Sequence, residues 1–214
     1  MTNSAPDFDE AFRTRLHDLL RWRRDVRHFR PDPLPEGLLA ALVEHAALAP
    51  SVGYAQPWRF VHVRDPRRRA AVVASFERAN ARALASYEGD DARLYASLKL
   101  SGLRDAPEHV AVFCDDATRR GKGLGRATMP EMLEYSAVMA IFAFWLAARA
   151  HGIGVGWVSI IEPDVVTRAL DVPASWRLIA YLCVGYPADD CATPELERAG
   201  WESRDPEART LSER

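Results

Sequence analysis

The stretch Val138-Met-Ala-Ile-Phe-Ala-Phe-Trp-Leu146 lies inside a helix that the sequence predicts from Pro130 to about Ala150, and every residue in it is apolar. Proline suits the first turn of a helix, where its missing N–H is not needed. A helix that is apolar on every face is buried on every face. A chain of 214 residues has little other material to cover it, so a second copy is the simplest cover. We therefore predict a homodimer, with a central helix in a monomeric core as the alternative.

Composition narrows the class of protein that surrounds this helix. The chain has 28 Lys and Arg against 30 Asp and Glu, a formal net charge of −2, and 48% hydrophobic residues. This length and composition predict a single domain over residues 1–214 with a substantial core. Near-zero net charge gives no general attraction for nucleic acid or anionic lipid, so we expect neither as a partner.

The cellular compartment and metal binding are indicated by the cysteines, the histidines and the N-terminal residues. Cys114, Cys183 and Cys191 are far apart and form no CxxC pair, which disfavours a disulfide framework and a zinc site. The histidines show neither HxxxH nor HExxH spacing, so no metal site is expected. The start, MTNSAPDFDEAF, is too polar for a secretory signal. The apolar stretch Tyr135–Ala148 is shorter than the roughly 20 residues of a membrane span. We expect a cytoplasmic protein without a membrane segment.

Hydrophobic periodicity predicts a mixture of helices and scattered strands, which is typical of the α+β class. The predicted helices span residues 8–24, 36–49, 68–104 with an interruption at 88–91, 130–150 and 162–170. The predicted strands span residues 58–63, 110–114, 156–161 and 178–184. The tail, about residues 187–214, is expected to be extended and irregular.

Arginine is dense around Asp25. Arg21, Arg23, Arg24, Arg27 and Arg30 all lie within ten residues. Two or three guanidinium groups near a helix end can converge on one phosphate. This segment is therefore a candidate anion site, and a solvated basic face is the alternative.

The loop Ala49–Trp58 is the second candidate. Ser51 and Gln56 can form hydrogen bonds to a planar heterocycle, and Trp58 can supply an apolar wall. An ordinary helix-to-strand turn is the alternative. Two glycine clusters are weaker signals. Gly152–Trp157 follows a helix and precedes a strand, the reverse of a dinucleotide-binding order, and Gly121–Arg126 lacks the spacing of a phosphate-binding loop.

Three segments together resemble the nitroreductase superfamily in order and spacing. They are RRDVR (23–27), QPW (56–58) and GIGVGW (152–157). The resemblance implies an α+β fold with a central, mostly antiparallel sheet flanked by helices, an intertwined homodimer, and FMN at the dimer interface.

Four longer segments resemble one flavin-consuming branch of that superfamily. They are RRDVRHF (23–29), APSVGYAQPWRF (49–60), GLGRATMPEMLEYS (123–136) and GIGVGWVSI (152–160). Asp25 and Tyr54 stand where common nitroreductases carry Ser and Asn. The branch implies that reduced FMN is a substrate, supplied by a separate flavin reductase and fragmented with O2 to 5,6-dimethylbenzimidazole, the lower-ligand base of vitamin B12, and D-erythrose 4-phosphate. An NAD(P)H-dependent FMN nitroreductase or enone reductase is the alternative, and a flavin carrier without catalysis is a third possibility.

The resemblance also implies the roles of particular residues. Asp25 would transfer a proton or orient the group that does, and the Ser159 hydroxyl would donate to the reacting atoms or the ribityl chain. The residues implied to contact FMN are Arg23, Arg24, Asp25, Val26, Arg27, Ser51, Gln56, Leu100, Gly156 and Ser159. Residues at about 80–105 would form a flexible lid that keeps water and nicotinamide away from the flavin. Arg204 is a candidate phosphate partner.

Overall fold

One antiparallel sheet organises the structure, a computed structural model that describes residues 5–213. The first four residues and Arg214, which the predicted domain and tail include, lie outside the described residues. The strands are β1 (Trp58–His62), β2 (Glu108–Asp115), β3 (Gly154–Val158) and β4 (Trp176–Gly185). They lie in the order β1-β2-β4-β3, and every neighbouring pair is antiparallel.

Seven α-helices surround the sheet within the described residues. They are α1 (Glu10–Trp22), α2 (Leu38–Ala46), α3 (Pro66–Leu84), α4 (Gly89–Ser97), α5 (Met132–Ala150), α6 (Pro163–Leu170) and α7 (Glu195–Arg198). The Asp9 side chain accepts a hydrogen bond from the Phe12 N–H and begins α1, and Asp65 does the same for the Arg67 N–H at the start of α3. The predicted α+β class and antiparallel sheet are confirmed.

Alternation along β2 divides the core into two layers. Val110, Val112 and Cys114 pack with α5 and α2 on one face of the sheet. Ala111 and Phe113 point to the other face, where they pack with residues of α3 and α6. Successive side chains of a strand point to opposite faces, so a strand buried on both faces reads as a continuous apolar run.

Helix α1 is shorter than the sequence predicts. The expected helix ran over residues 8–24, but the chain leaves the helix after Trp22, where Arg23 has φ −67° and ψ 119°. Arg23 is therefore extended, and neither Arg23 nor Arg24 forms part of the last helical turn. The candidate anion site is thus an extended segment, which can lie along a strand.

Helix α5 is only partly covered within one chain. Residues 138–146, for which a second copy is the predicted cover, are not buried on every face within a single protomer. A stripe formed by Tyr135, Val138, Met139 and Phe142 is between 38% and 52% exposed. Their spacing of three and four residues places them on one side of the helix.

The same helix, over Met132–Ala150, is long and apolar enough to cross a bilayer. However, 44% of its most apolar stretch is buried inside the protein. A core helix of a soluble protein has the same composition, so this is weak evidence for a span. Packing against Val112 and Leu182 of the sheet assigns α5 to the core.

The lid and tail regions contain regular structure. The helical region is interrupted at residues 85–88, between the end of α3 at Leu84 and the start of α4 at Gly89, a few residues before the predicted interruption at 88–91. The predicted lid thus comprises the end of α3, α4 and a segment that follows Ser97. The tail, expected to be irregular, forms α7 and a 3₁₀ turn at Glu207–Arg209.

A buried histidine makes the fold sensitive to pH. His109 on β2 is 1% exposed, and its Nδ1 lies 3.0 Å from the Tyr181 hydroxyl oxygen on β4. Burial lowers the pKa of His109 from 6.5 to about 4, and the positive charge of Arg69 acts in the same direction. The folded state therefore holds this imidazole neutral.

We expect the free energy of unfolding to fall as the pH is lowered from about 6.5 to about 4, because the unfolded chain binds a proton that the folded chain excludes. The stabilisation is complete above pH 6.5, and its loss amounts to about 3 kcal/mol. Urea unfolding at a series of pH values measures it. His109→Gln should remove this part of the pH dependence, whereas His17→Gln on the exposed side of α1 should keep it. Equal slopes for wild type and His109→Gln would contradict the prediction.

Candidate functional site

The segment that follows α1 is attached to the edge of the sheet. Asp25 and Val155 form a parallel bridge, and the Val26 N–H donates to the Val155 carbonyl oxygen over 3.0 Å. The Asp25 Oδ1 accepts a hydrogen bond of 2.9 Å from the Trp157 N–H. Main chain and side chain together fix Asp25 against β3.

Two glycines of β3 permit this close approach. A Cβ built on Gly156 would lie 2.0 Å from the Val26 carbonyl oxygen, and one built on Gly154 would lie 2.8 Å from Val26 Cγ2. Contacts this short are excluded for any side chain. The alternating glycines of Gly152–Trp157 therefore make room for the segment that carries Asp25.

Arg27 connects Asp25 to the predicted lid. Its Nε donates to Asp25 Oδ2 over 3.0 Å, and its NH1 donates to the Lys99 carbonyl oxygen over 3.3 Å. The Arg27 side chain is 13% exposed and that of Asp25 is 35% exposed. Asp25 thus keeps access to solvent, and Leu100 lies directly after the residue that Arg27 holds.

The other two arginines of the motif have different surroundings. The Arg23 guanidinium lies 4.9 Å from the centroid of the Trp145 ring. Burial lowers the pKa of Arg23 from its ordinary value. Arg24 donates from Nε and NH2 to the Ala192 carbonyl oxygen, over 3.0 Å and 2.6 Å. Burial also lowers the pKa of Arg24, and the positive charge of Arg23 adds to the effect. Neither guanidinium forms an ion pair with a carboxylate in the part of the chain that the structure describes.

A small cavity separates this segment from the C-terminal residues. Its volume is about 50 Å³, and Arg24, Asp25, Trp145, Asp190 and Glu195 contribute to its walls. Sites for drug-sized ligands usually measure about 300–1,000 Å³. A flavin ring therefore does not fit in this cavity.

The loop with Ser51 and Gln56 has a strained, well-defined backbone. The Ser51 Oγ accepts a 3.1 Å hydrogen bond from the Gln56 N–H, and the Val52 N–H donates to Ser136 Oγ on α5 over 3.0 Å. Tyr54 and Gln56 both have positive φ angles, 56° and 48°. Non-glycine residues rarely adopt this conformation, and such strain occurs frequently at binding sites.

The structure brings some of the predicted site residues together and separates others. Val26, Arg27 and Gly156 contact Asp25 or its segment, and Ser159 is exposed just after β3 ends at Val158. The Ser51 loop contacts α5 at Ser136, whereas Arg24 accepts a hydrogen bond from Trp145 nine residues later on α5. Nine residues span about 14 Å of helix. Within one protomer, Ser51 and Gln56 therefore do not join Asp25.

Comparison with known proteins identifies the family to which the chain belongs. The nitroreductase family model matches residues 20–186, most of the chain. The chain belongs to the nitroreductase family. A Rhodospirillum rubrum protein named 5,6-dimethylbenzimidazole synthase is 58% identical over 205 residues, covering 95% of this chain and 96% of that protein. A Rhodobacter capsulatus protein of the same name is 47% identical over 200 residues, covering 94% and 97%.

A solved structure supports the same nitroreductase fold. Oxidised iodotyrosine deiodinase bound to FMN and 3-iodo-L-tyrosine aligns with a TM-score of 0.69 at 26% identity, covering 82% of this chain and 91% of that one. The predicted nitroreductase-like fold is thereby confirmed.

Sequence reasoning missed several residues that surround Asp25 in this nitroreductase fold. Trp145 and Trp157 contact the arginine segment from α5 and β3, and Asp190 and Glu195 approach it from the tail. The sequence pattern predicts the two tryptophans only as residues of a buried helix and a strand. The acidic residues of the tail could have been found from the sequence, because their negative charge is complementary to the positive charge of the arginine segment.

Gly156→Ala should destabilise the protein by about 3 kcal/mol or more, because the added methyl group must displace the Val26 carbonyl oxygen. Urea unfolding measures the loss. Gly37→Ala is the control: an added Cβ there meets no atom within 4 Å, and only its φ of 78° is unfavourable. That substitution should cost about 1 kcal/mol. A Gly156→Ala protein as stable as Gly37→Ala would contradict the close approach.

Proposed function

We propose that this chain is a 5,6-dimethylbenzimidazole synthase, which converts reduced FMN and O2 to 5,6-dimethylbenzimidazole and D-erythrose 4-phosphate for the lower ligand of cobalamin. The 58% and 47% identical proteins of that name support this assignment over nearly their full lengths. The structural observation that carries it is the Asp25 carboxylate, fixed on β3 by the Trp157 N–H and still partly exposed.

The arginine segment fits the phosphate and polar edge of FMN. Arg23 is partly desolvated and has no carboxylate partner among the described residues, so an anion would restore much of the solvation that burial removed. Arg24 retains one N–H beyond those that donate to the carbonyl oxygens of Ala192, Arg21 and Arg23, and Arg27 retains N–H donors beyond those used for Lys99 and Asp25. We assign Arg23, Arg24 and Arg27 to the phosphate, the ribityl oxygens or the polar edge of the flavin.

Asp25 is the proposed proton-transfer group. Reduced FMN supplies the electrons for O2 and the carbon skeleton of the product. Each carboxylate oxygen of Asp25 accepts one hydrogen bond, from Trp157 or Arg27, and each keeps a second lone pair. Asp25 can therefore accept a proton, or orient the group that does, without leaving its fixed position. General acid–base catalysis requires this hydrogen-bond reach.

The remaining predicted contacts follow from their positions. Ser159 is exposed two residues beyond Trp157, where its hydroxyl can donate to the reacting atoms or the ribityl chain. Val26 and Gly156 present backbone at the same edge, and Leu100 follows Lys99 beside Arg27. We assign Leu100 and the lid at about 80–105 to covering the flavin and excluding water.

We further propose that the site is completed by a second protomer. The exposed apolar stripe of α5 lies between the Ser51 loop at one end of the helix and the Asp25 segment at the other. Antiparallel packing of two such stripes places the Ser51 and Gln56 loop of one protomer beside Asp25 of its partner. FMN would then lie at the interface, in contact with both chains.

The reaction also defines the setting in which the protein works. FMN that is consumed must be supplied in reduced form, and we assign that supply to a separate flavin reductase. FMN is the substrate and O2 the co-substrate. We place the protein in the cytoplasm, with no membrane or nucleic-acid partner.

The direct test mixes the protein with chemically reduced FMN in air and measures 5,6-dimethylbenzimidazole by mass spectrometry. Wild type should form the product, and Asp25→Asn should reduce the rate by about 10²-fold or more, since the amide cannot accept the proton, while FMN still binds. Rapid NADH oxidation with intact FMN and no benzimidazole would favour the nitroreductase or enone reductase alternative. FMN binding with neither activity would favour a flavin carrier.

The mass of the protein in solution tests the proposed dimer. Wild type should sediment at twice the protomer mass of 23.9 kDa. Met139→Glu places a charge in the apolar stripe and should shift the protein to the protomer mass and weaken FMN binding. Leu211→Glu is the control, because Leu211 is 93% exposed in the tail. A wild-type protein that sediments at 23.9 kDa, yet binds FMN, would refute the shared site.

A further inference from the structure

The tail crosses the arginine segment as a continuous strap. We define the C-terminal strap as Asp190–Trp201. Its first half contacts the site, because Asp190 accepts a 2.6 Å hydrogen bond from Arg149 and the Ala192 carbonyl accepts two from Arg24. Glu195 Oε1 lies 3.3 Å from His28 Nε2.

The second half of the C-terminal strap ends in a sharp turn. Gly200 has a φ of 76°, its N–H donates to the Glu197 carbonyl oxygen, and the Trp201 N–H donates to the Leu196 carbonyl oxygen over 2.9 Å. These are the two hydrogen bonds of a Schellman motif, which fixes the direction of the chain after a helix. The backbone at Trp201 is thereby fixed.

Trp201 packs against two tyrosines of the predicted lid. Its ring centroid lies 5.6 Å from Tyr87 at 81° and 6.0 Å from Tyr95 at 62°, both edge-to-face arrangements. Tyr87 and Tyr95 stack at 4.8 Å, and the Tyr95 hydroxyl donates to Asn80 Oδ1 on α3. Burial raises the pKa of Tyr95, so this hydroxyl stays protonated as a donor.

The lid is therefore held at two separate points. Arg27 holds its end through the Lys99 carbonyl oxygen, and Trp201 holds its middle through Tyr95 on α4. Both contacts connect the lid to the segment that carries Asp25. Arg27 belongs to that segment, and Trp201 is connected to it through the C-terminal strap.

We propose that the C-terminal strap holds the lid closed, with Trp201 as its anchor, and thereby denies a nicotinamide access to the flavin while O2 still enters. This proposal rests on the proposed function. Reduction of bound FMN by NADH requires hydride transfer to the flavin, which with one proton from solvent oxidises NADH to NAD⁺ and reduces FMN to FMNH2. The nicotinamide ring must lie against the flavin for that transfer, whereas O2 needs only a narrow path. Trp201 is thus a positioning residue that determines specificity without touching the flavin.

The first test uses the flavin-free protein and needs no turnover. Trp201→Ala should raise hydrogen exchange of the amides over residues 89–97 by about tenfold, since aromatic edge contacts and buried ring area are lost together. Trp201→Phe should recover much of the protection. Leu211→Ala, a change at an exposed tail residue, should leave the exchange rates of residues 89–97 unchanged. Tyr87→Leu removes the same contact from the lid and provides a second variant if Trp201→Ala does not fold.

The second test measures specificity with FMN bound and air excluded. Trp201→Ala should bleach the bound flavin with NADH at least about tenfold faster than wild type, in proportion to the increase in lid opening. In air, its yield of 5,6-dimethylbenzimidazole per reduced FMN should fall. Unchanged exchange over residues 89–97 and an unchanged rate with NADH would overturn the strap proposal. A wild-type protein that makes no benzimidazole would instead refute the proposed function, and the exchange experiment on flavin-free protein would still decide whether the strap holds the lid.

Discussion

The hydrogen bond from the Trp157 N–H to the Asp25 carboxylate, together with the parallel bridge between Asp25 and Val155, determines how the rest of the site is arranged. It makes an irregular segment behave as a strand added to the edge of β3, so its residues take fixed positions. Phe29 completes the attachment, since it is buried and forms an antiparallel bridge with Pro187, just after β4. A segment fixed at both ends can present a carboxylate with little loss of conformational entropy on substrate binding.

The three arginines near Asp25 show why a count of charges does not describe a site. Arg27 pairs with Asp25, Arg24 donates to the backbone of the tail, and Arg23 lies against the Trp145 ring. Burial lowers the pKa of Arg23 and of Arg24, which means that each cation has lost solvation that only Arg24 partly recovers from carbonyl oxygens. A desolvated cation without a carboxylate partner interacts favourably with an arriving anion.

Local sequence patterns predicted the elements whose formation depends on nearby residues. The apolar runs of β2 and β4 and the long helix α5 follow from periodicity, because burial decides them. The end of α1 differed by two residues, since the extended backbone of Arg23 is set by pairing with a distant strand. Asp25 and Trp157 are 132 residues apart, and Arg24 and Ala192 are 168 apart, so no local pattern encodes either contact. The resemblance to the nitroreductase superfamily supplied the juxtaposition of RRDVR with GIGVGW.

The proposed consumption of FMN requires a site with both rigid and movable parts, and the contacts divide in that way. Asp25 is held by backbone hydrogen bonds and by a glycine that admits no side chain, so this side of the site is rigid. The lid and the C-terminal strap are held by side-chain contacts, among them the hydrogen bond from Arg27 to Lys99, the exposed His28–Glu195 pair and the ring edges of Trp201. Exposed ion pairs contribute little to stability, and segments held by few buried contacts open at low free-energy cost. In the proposed reaction, such a lid would open once per turnover to admit reduced FMN and release the fragments, while the carboxylate keeps its position on β3.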